Sequence, residues 1–562
     1  MLTRRDFMQV TAATAALMGS GANIARAAAG QTITQDDLLN FDSVGNVTLL
    51  NFTDIHAQLV PLYFREPSVN LGVGEVHGLP PHLTGEAFLK HFGLTPGTPE
   101  AYAFSSVDYA NLAAQYGRIG GLAHLATLIK AIRAERDGNT LLVDCGDTWQ
   151  GSYTSLATQG EDMVNAMNAL GVDVMVPHWE FTYGADRVQE LIEKLNFPFL
   201  AGNVIDNEWQ EKVFDTTAMF ERGGVKIAVV GQAFPYTPVA NPRYMIPDWS
   251  FGIRPEMVQE NIDKARSEGA ELVVLASHNG FDVDRKLASI VNGVDVILTG
   301  HTHDAIPGVI EVNDTLLVAT GSHGKFLGRL DLDVQGGKIK NYNYKLIPVF
   351  SDVIQPDPEI QAVVDGIRAP HASVINEKLG TASSLLYRRG NFNGTFDDLI
   401  CNAIIEERDT QISMSPGFRW GATVIPGQDI TVDDVYTQTS ITYPNVYRSE
   451  MTGETIKLIL EDVADNLFNP DPFYQQGGDM VRVGGMGYRI DINKTIGNRI
   501  SDMTLLSSGE TIEPAKTYMV GGWASVNEGT EGPPIYDLVA NHIRKKKVVD
   551  IKPNTSIKVV GA

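Results

Sequence analysis

The residues best suited to chemistry are histidines and aspartates set just past short apolar runs. Val294–Leu298 leads into Thr299-Gly300-His301-Thr302-His303-Asp304. A Gly-His-x-His turn at a strand end can give one imidazole to each of two adjacent metal ions, because the residues flanking Thr302 point the same way if the chain stays extended. The arrangement repeats along the chain. Leu49–Phe52 runs into Asp54 and His56, Thr140–Val143 into Asp144-Cys145-Gly146-Asp147, Val174–Val176 into His178-Trp179-Glu180, and Leu272–Leu275 into Ser277-His278-Asn279. Two divalent cations about 3.5–4 Å apart can grip an anionic tetrahedral centre and acidify a shared water, which is the chemistry of metal-assisted hydrolysis. One carboxylate must be shared. Asp147 is the candidate, since the glycine before it lets the backbone come close. Asp54, His56 and His303 would then complete one ion's shell, and His178, His278 and His301 the other's. Mixed imidazole and carboxylate ligands suit manganese, zinc or iron(II). Any one such histidine is more often structural; recurrence at successive strand ends is what marks a site.

Bringing these residues to one edge takes a sheet whose strands end level. From residue 139 to about 350 strand and helix patterns alternate, with helices expected at 160–169, 185–195 and 255–268 and strands at 198–201, 225–231, 315–320 and 327–334. Val-rich strands in that alternation indicate a mostly parallel α/β sheet, and such sheets carry their sites beyond the carboxyl ends of the strands. Gly120-Gly121 opens a helix whose stripe is Leu122, Leu125, Ile129 and Ile132. Residues 57–118 interrupt the pattern with Gly- and Pro-rich turns and short helical patches such as 85–92. They read as an insertion beside the active-site mouth, with His77, His82 and His91 as surface histidines. The charged, helical stretch 351–378 reads as a linker, and the pattern beyond it is α+β. The expected divisions are a catalytic domain at 28–350 and a second domain at 379–562.

At 562 residues the chain exceeds one domain. Its formal charge of −24 makes nucleic acid and anionic membranes poor partners. A small anionic substrate would need a local positive centre, which metal ions supply. The two cysteines, Cys145 and Cys401, exclude a disulfide framework, and Cys145 is expected to be a buried bystander. Thr3-Arg4-Arg5-Asp6-Phe7-Met8, the weakly apolar Val10–Ile24 and Ala25-Arg26-Ala27 resemble a twin-arginine signal over residues 1–27, which implies export to the periplasm. No later run reaches the ~20 apolar residues that span a bilayer.

Asp-x-His, Gly-Asp, His-Asn-Gly and Gly-His-x-His in this order resemble the calcineurin-like metallophosphoesterases. Ile430-Thr431-x-Asp433-Asp434-Val435 and Met451-Thr452-Gly453-Glu454-x-Ile456-Lys457 resemble the second domain of bacterial 5′-nucleotidases. The resemblance implies a four-layer α/β/β/α sandwich followed by a smaller α+β substrate domain. It also places Arg419, in Ser415-Pro-Gly-Phe-Arg419-Trp-Gly421, where the second domain grips the substrate. Asn203, which follows the 198–201 run, could bind a substrate oxygen.

The sequence departs from the family at one place. Where the family shows Gly-Asn-His-Glu-Phe-Asp, residues 177–182 read Pro-His-Trp-Glu-Phe-Thr. His178 stands at the metal-binding Asn. Trp179 and Thr182 stand at the His–Asp pair that assists the leaving group. An alkoxide needs that proton; a thiolate, whose thiol has a pKa of about 8.5, does not. A tryptophan there gives an apolar wall in place of a proton relay. His178-Trp-Glu-Phe-Thr-Tyr-Gly184, the long insertion after His56 and the Gly-rich segment 477–485 resemble the thiosulfohydrolase branch of the family, which acts in thiosulfate oxidation. That resemblance implies two manganese ions, with zinc or iron(II) possible, and a cysteine S-thiosulfonate on the carrier complex SoxYZ as substrate. The carrier cysteine sits on a flexible arm of SoxY, and sulfate is released. The alternative is a periplasmic 5′-nucleotidase or cyclic phosphodiesterase. A nucleotidase would stack its base between aromatics of the second domain, and the sequence does not place such a pair. Gly484-Gly485-x-Gly487 would admit a thin peptide arm or simply make a tight turn, with Arg482 and Tyr488 as further candidates for the entrance.

Overall fold

A computed structural model describes residues 33–561. The expected signal segment, with Arg4 and Arg5, lies outside the described residues. Within them no helix is long and apolar enough to cross a membrane.

The main strands of the first half are β1 (Val47–Phe52), β2 (Thr140–Asp144), β3 (Val174–Met175), β4 (Thr217–Arg222), β5 (Val225–Gln232), β6 (Leu272–Ser277), β7 (Val296–Thr299), β8 (Ile310–Val312), β9 (Thr315–Ala319), β10 (Phe326–Gln335) and β11 (Lys338–Pro348). They make two sheets, ordered β11-β10-β1-β2-β3 and β8-β9-β7-β6-β5-β4. The site-bearing strands pair in parallel, β1-β2-β3 in one sheet and β5-β6-β7-β9 in the other. Antiparallel hairpins flank them. Every residue of β1, β2, β6 and β7 is buried, which is why these strands read as continuous apolar runs and not as alternation. The helix Leu122–Glu135 packs on the first sheet, and Pro255–Ser267 and Phe281–Ala288 pack on the second. The result is the four-layer α/β/β/α sandwich.

The second half is smaller and α+β. Three short sheets run through Lys378–Ala382, Ile412–Ser415 and Met486–Asp491, with the helices Thr395–Arg408, Gly453–Phe468 and Ile535–Lys546. It contains two apolar cores, and one of them takes in Trp179 from the first half.

Residues 351–378, expected as a helical linker, are helical and packed. The helix Pro358–Arg368, capped by the Asp357 carboxylate on the Glu359 and Ile360 N–H groups, lies against Leu122–Glu135 and Glu161–Leu170 and buries Ile360 and Val364. Its charged outer face masks a narrow apolar stripe. Several expectations change. The run 198–201 makes only isolated bridges, Met175 with Phe199 and Leu200 with Asp215. The insertion holds three helices, Gly85–Phe92, Pro99–Phe104 and Tyr109–Tyr116, which bury Phe88, Tyr102, Phe104 and Tyr109 in the main core. It also reaches the second half, where the Leu71 N–H donates to Asn391 Oδ1 at 2.6 Å. His82 is not a free surface histidine, since its Nε2 lies 2.7 Å from Asp282 Oδ2.

A buried ion pair ties the insertion to the turn before β10. Lys325 Nζ lies 2.7 Å from Glu66 Oε1 and 3.1 Å from Phe64 O, with side chains 1% and 7% exposed. Removing one partner of such a pair strands the other charge in a medium that solvates it poorly. Lys325→Met is expected to destabilise the protein by about 3 kcal/mol, read as a lower urea midpoint, and adding Glu66→Met should restore most of the loss. An unchanged midpoint in the single variant would contradict this account.

Candidate metal centre

Parallel register sets the strand ends level. Phe52 lies opposite Asp144, and Asp144 opposite Met175. Across the other sheet Gln232, Ser277 and Thr299 align, and Thr299 lies opposite Ala319. The chain then turns sharply. Asp54, His56, Asp147, His301 and His303 have φ of 52°, 49°, 57°, 75° and 57°. Residues with side chains rarely enter this left-handed region, and where they do the surroundings over-determine them, often at functional sites. The Gly-His-x-His segment is therefore not extended, contrary to expectation. β7 ends at Thr299, and the turn that follows still delivers one imidazole to each of two adjoining donor groups, as expected. Gly300 has no room for a side chain, because a Cβ would meet Thr53 Oγ1, Cys145 O and His278 Nδ1. Gly146 is pressed likewise against Val176 O and His278 Nδ1.

Asp147 lies at the centre. Its Oδ2 is 3.1 Å from His178 Nδ1, 3.1 Å from His278 Nε2 and 3.7 Å from His56 Nε2. Asp54 Oδ1 is 3.1 Å from His303 Nε2 and 3.6 Å from His278 Nε2, and the Nε2 atoms of His56 and His303 are 3.1 Å apart. The donor atoms of Asp147, His178, His278 and His301 all lie within 4.8 Å of one another, as do those of Asp54, His56, Asp147 and His303. All seven side chains singled out from the sequence thus converge, in two groups that share Asp147. Ligands held about 2.1 Å from an ion at right angles lie about 3.0 Å apart, close to the spacings here. Asp54 Oδ1 and His178 Nε2 are buried with no hydrogen-bond partner among the described residues, and such orphaned atoms call for a ligand. The donor set fits two divalent cations.

Left to protein groups alone, the cluster is held together by protons. Burial raises Asp147, but the attraction of His178 and His278 outweighs it and holds the carboxyl well below its usual range. Burial dominates at Asp54 and lifts it well above that range. His178 and His278 both touch Asp147, yet they shift in opposite senses. Burial takes His178 down to about 4, whereas His278, facing both carboxylates, is pushed up to about 10 against its burial. A coordinating imidazole must be neutral, so cations would replace the His278 proton.

Other groups hold these ligands, and sequence reasoning missed them. Buried Glu180 accepts the Thr148 and Trp149 N–H groups on Oε1, at 2.7 and 3.2 Å, and the His178 N–H on Oε2, at 2.7 Å. It thereby pins the Asp147 loop to the His178 loop. The Cys145 carbonyl lies 2.5 Å from His278 Nδ1, an outer contact of the kind that orients a ligating imidazole. The Cys145 thiol itself is free and buried. His323, in the turn after β9, donates its backbone N–H to Asp54 O at 2.8 Å and accepts the Gly421 N–H on Nε2 at 3.2 Å. Its signal was present, a histidine four residues past an apolar run, but no second ligand-type residue stood beside it.

Trp179 is buried, with its backbone N–H on Asp147 Oδ1 at 2.7 Å. Its ring meets Phe418 and Trp420 edge-on at 5.4 and 5.1 Å, and its only other ring neighbour among the described residues is His178. Phe418 and Trp420 stack on each other at 4.0 Å. The Thr182 hydroxyl is bonded to the Thr442 hydroxyl at 2.7 Å. Arg419 donates to Thr302 O at 3.0 Å and to Gly478 O at 2.6 Å, and it borders a cleft with Asn279, His301 and Gly477. Arg389 donates to the same Thr302 carbonyl at 2.9 Å. Asn203 is not brought to the centre. Its amide donates to Ala233 O and Gly252 O at 2.8 and 2.9 Å and accepts the Ala233 N–H at 2.9 Å, so it holds a turn. Arg482 and Tyr488 are buried and do not line an entrance. Gly484, Gly485 and Gly487 press against Ser413, Gln411 and Ser556 of their own half, which is the tight-packing alternative.

A carboxylate shared between two donor groups at the carboxyl edge of two stacked sheets, under a second α+β half, makes the chain a metal-dependent hydrolase. Residues 378–538 match the 5′-nucleotidase C-terminal domain family. Bovine 5′-nucleotidase is 24% identical over 436 residues, 69% of this chain and 73% of that one. Protein UshA of Yersinia enterocolitica is 23% identical over 479 residues, 75% and 84% of the two chains. The solved structure of the Thermus thermophilus sulfate thiohydrolase SoxB in complex with glycerol matches with a TM-score of 0.90 at 38% identity, covering 93% of this chain and 98% of that one. A 5′-nucleotidase precursor from Thermus thermophilus shares the fold, with a TM-score of 0.71 at 21% identity, 92% and 100% covered. The chain belongs to the family that unites SoxB with the 5′-nucleotidases.

The protonated His278 carries a consequence for metal loading. Below about pH 10 the imidazole holds its proton, and coordination expels it. Calorimetric titration of metal into metal-free protein at neutral pH, repeated in buffers of different ionisation enthalpy, is expected to show release of at least one proton per chain, with affinity falling as pH falls. Loading without proton release would refute this reading of the cluster.

Proposed function

We propose that the chain is a periplasmic thiosulfohydrolase of thiosulfate oxidation. It hydrolyses the terminal sulfonate from a cysteine S-thiosulfonate on the SoxYZ carrier and releases sulfate. The observation that carries this reading is the pair of residues at the two positions where the family carries its His–Asp proton relay. Trp179 stands at one position of the family's His–Asp pair, and Thr182, tied to Thr442, stands at the other. A sulfur leaving group is acidic enough to depart unprotonated. A second observation bears on the nucleotide alternative. A base sandwiched between two aromatic rings needs them roughly 7 Å apart, two contacts of about 3.5 Å. Phe418 and Trp420 lie 4.0 Å apart, with Trp179 edge-on against both. The likeness to SoxB extends over 93% of the chain at 38% identity, whereas the 5′-nucleotidase relatives match at 23–27%.

Asp54, His56, Asp147 and His303 would hold one cation, and Asp147, His178, His278 and His301 the other; we take them to be manganese. Bound there, such cations supply a hydroxide nucleophile at neutral pH and neutralise the sulfonate oxygens. In the reaction water oxygen joins the terminal sulfur, the sulfur–sulfur bond breaks, and its electron pair leaves on the carrier's persulfide sulfur. The protons pass to solvent. Trp179, Phe418 and Trp420 keep water from the departing sulfur. Arg419 is the candidate grip on the sulfonate; at rest its Nη atoms donate to Thr302 O and Gly478 O and its Nε lies 3.4 Å from Asp479 Oδ1, so it would exchange part of this network for the anion. Residues 1–27 would direct export by the twin-arginine route, with 28–350 as the catalytic domain, 351–378 joining the halves and 379–562 contacting the carrier.

The manganese-loaded protein should release sulfate from S-thiosulfonated SoxYZ. Asp147→Ala should abolish that release, and Arg419→Ala should lower kcat/KM by about 100-fold, the effect of losing one donor to the reacting anion. Nucleoside monophosphates should give little phosphate. Phosphate release faster than sulfate release would replace this reading with the nucleotidase one.

A further inference from the structure

Residues 469–479, between the helix Gly453–Phe468 and the strand Arg482–Gly484, form a strap from the second half that crosses onto the first. Its outer part is held by Lys286 on the helix Phe281–Ala288. Lys286 Nζ lies 2.5 Å from Asp471 Oδ1 and 4.0 Å from the centre of the Phe473 ring. The Tyr236 hydroxyl donates to Phe473 O. Its inner part is held by its own half. The Asp479 N–H donates to Gly417 O at 2.8 Å, and Gly478 O accepts from Arg419 at 2.6 Å. Between these anchors the Gln476 carbonyl lies 3.0 Å from His301 Nε2. Gly477, at φ +72°, lies so close over the imidazole that a Cβ there would collide with Nε2. A side chain at this position would push the strap away.

A carbonyl oxygen only accepts, so Nε2 carries the hydrogen and the lone pair is left on Nδ1. That tautomer offers Nδ1 to an ion. His278 and His56 have similar partners, the carbonyls of Cys145 and Gln150 at 2.5 and 3.3 Å. Those come from the same half as the ligands, whereas the partner of His301 comes from the other. We infer that the strap is the outer support of the metal group built on His301, with Gln476 as its positioning residue, so that the second half governs how firmly the first half keeps one of its two ions. Because the strap also roofs the cleft beside Asn279, Thr302 and Arg419, lifting it and loosening that ion are one event. The inference holds whatever leaving group the site accepts.

The test uses the full chain loaded with manganese and challenged with a chelator, with residual metal per chain followed over time by elemental analysis. Loss of an outer-shell partner weakens metal binding by about 10- to 100-fold. Lys286→Ala removes the charged part of the outer anchor, leaving the Tyr236 contact and touching no ligand, and it should speed loss of one ion about 10-fold while the other leaves at the wild-type rate. Gly477→Ala should act in the same sense and more strongly, by about 10- to 100-fold. Should Gly477→Ala fail to fold, Lys286→Ala decides alone. Wild-type release of both ions from Lys286→Ala, or equal acceleration of both, would overturn the inference. A wild-type chain that retains no more than one ion would sink the dinuclear centre itself, and with it both this inference and the proposed reaction.

Discussion

The structure depends on one unfavourable arrangement, two carboxylates and five imidazoles packed together out of water. Asp54 and Asp147 are each at most 1% exposed. An ionised carboxylate removed from solvent without a compensating positive charge is strongly disfavoured, and a second one beside it adds repulsion. Positive charge must therefore sit among these groups, as protons shared with imidazoles or as cations. Local features that oppose ordinary chain preference follow from holding donors at such spacing. Five of the seven ligand-type residues adopt left-handed backbone, at a cost on the order of 1 kcal/mol or more each. Gly146 and Gly300 give up side chains so that two loops can touch. Glu180 is buried so that three N–H groups fix where those loops go.

Much of this was legible in the sequence because parallel strands are read twice. Burial on both faces makes a strand an unbroken apolar run, and the side chain following it marks the sheet edge. Asp54, Asp147, His178, His278 and His301 could be picked out that way. What was not legible depends on where the chain bends. Reading Gly-His-x-His as extended failed because β7 stops one residue before Gly300. Asn203 looked like a ligand because it follows an apolar run, yet that run makes only bridges, and an asparagine there satisfies a turn equally well. His323 obeyed the same rule as the ligands and was passed over for standing alone. Contacts made across the chain, such as Glu66 with Lys325 or Gln476 with His301, have no sequence signature, since nothing local to either partner requires the other.

The second half takes part in the centre as well as covering it. Thr302, the residue between the two converging histidines, has its carbonyl held by Arg389 and Arg419, both from beyond residue 378. Gly421 of the second half donates to His323, which in turn holds Asp54 through its backbone. The position of the second half is thereby transmitted to both donor groups through hydrogen bonds at 2.8–3.2 Å. Rotation of one half against the other would break these bonds in ways a purely apolar interface would not register.

Trp179 joins the chemistry to that interface. Its backbone N–H fixes Asp147, and its indole belongs to the core of the second half beside Phe418 and Trp420. A tryptophan at this place does two things at once. In the reaction proposed above it withdraws a proton donor from the leaving group, and it fills a volume that a histidine would leave open. Restoring an imidazole alone would bring back neither function cleanly. It would lack the acidic partner, because Thr182 is committed to Thr442, and it would leave a void under two stacked rings, which packed interiors tolerate poorly. Phe418 and Trp420 stack face to face at 4.0 Å with Trp179 edge-on against both, so the three rings form one packed block at the boundary of the two halves. Under the proposed reaction, the side chain that leaves the site without the family's proton relay is thus also the one that seals the boundary between the two halves.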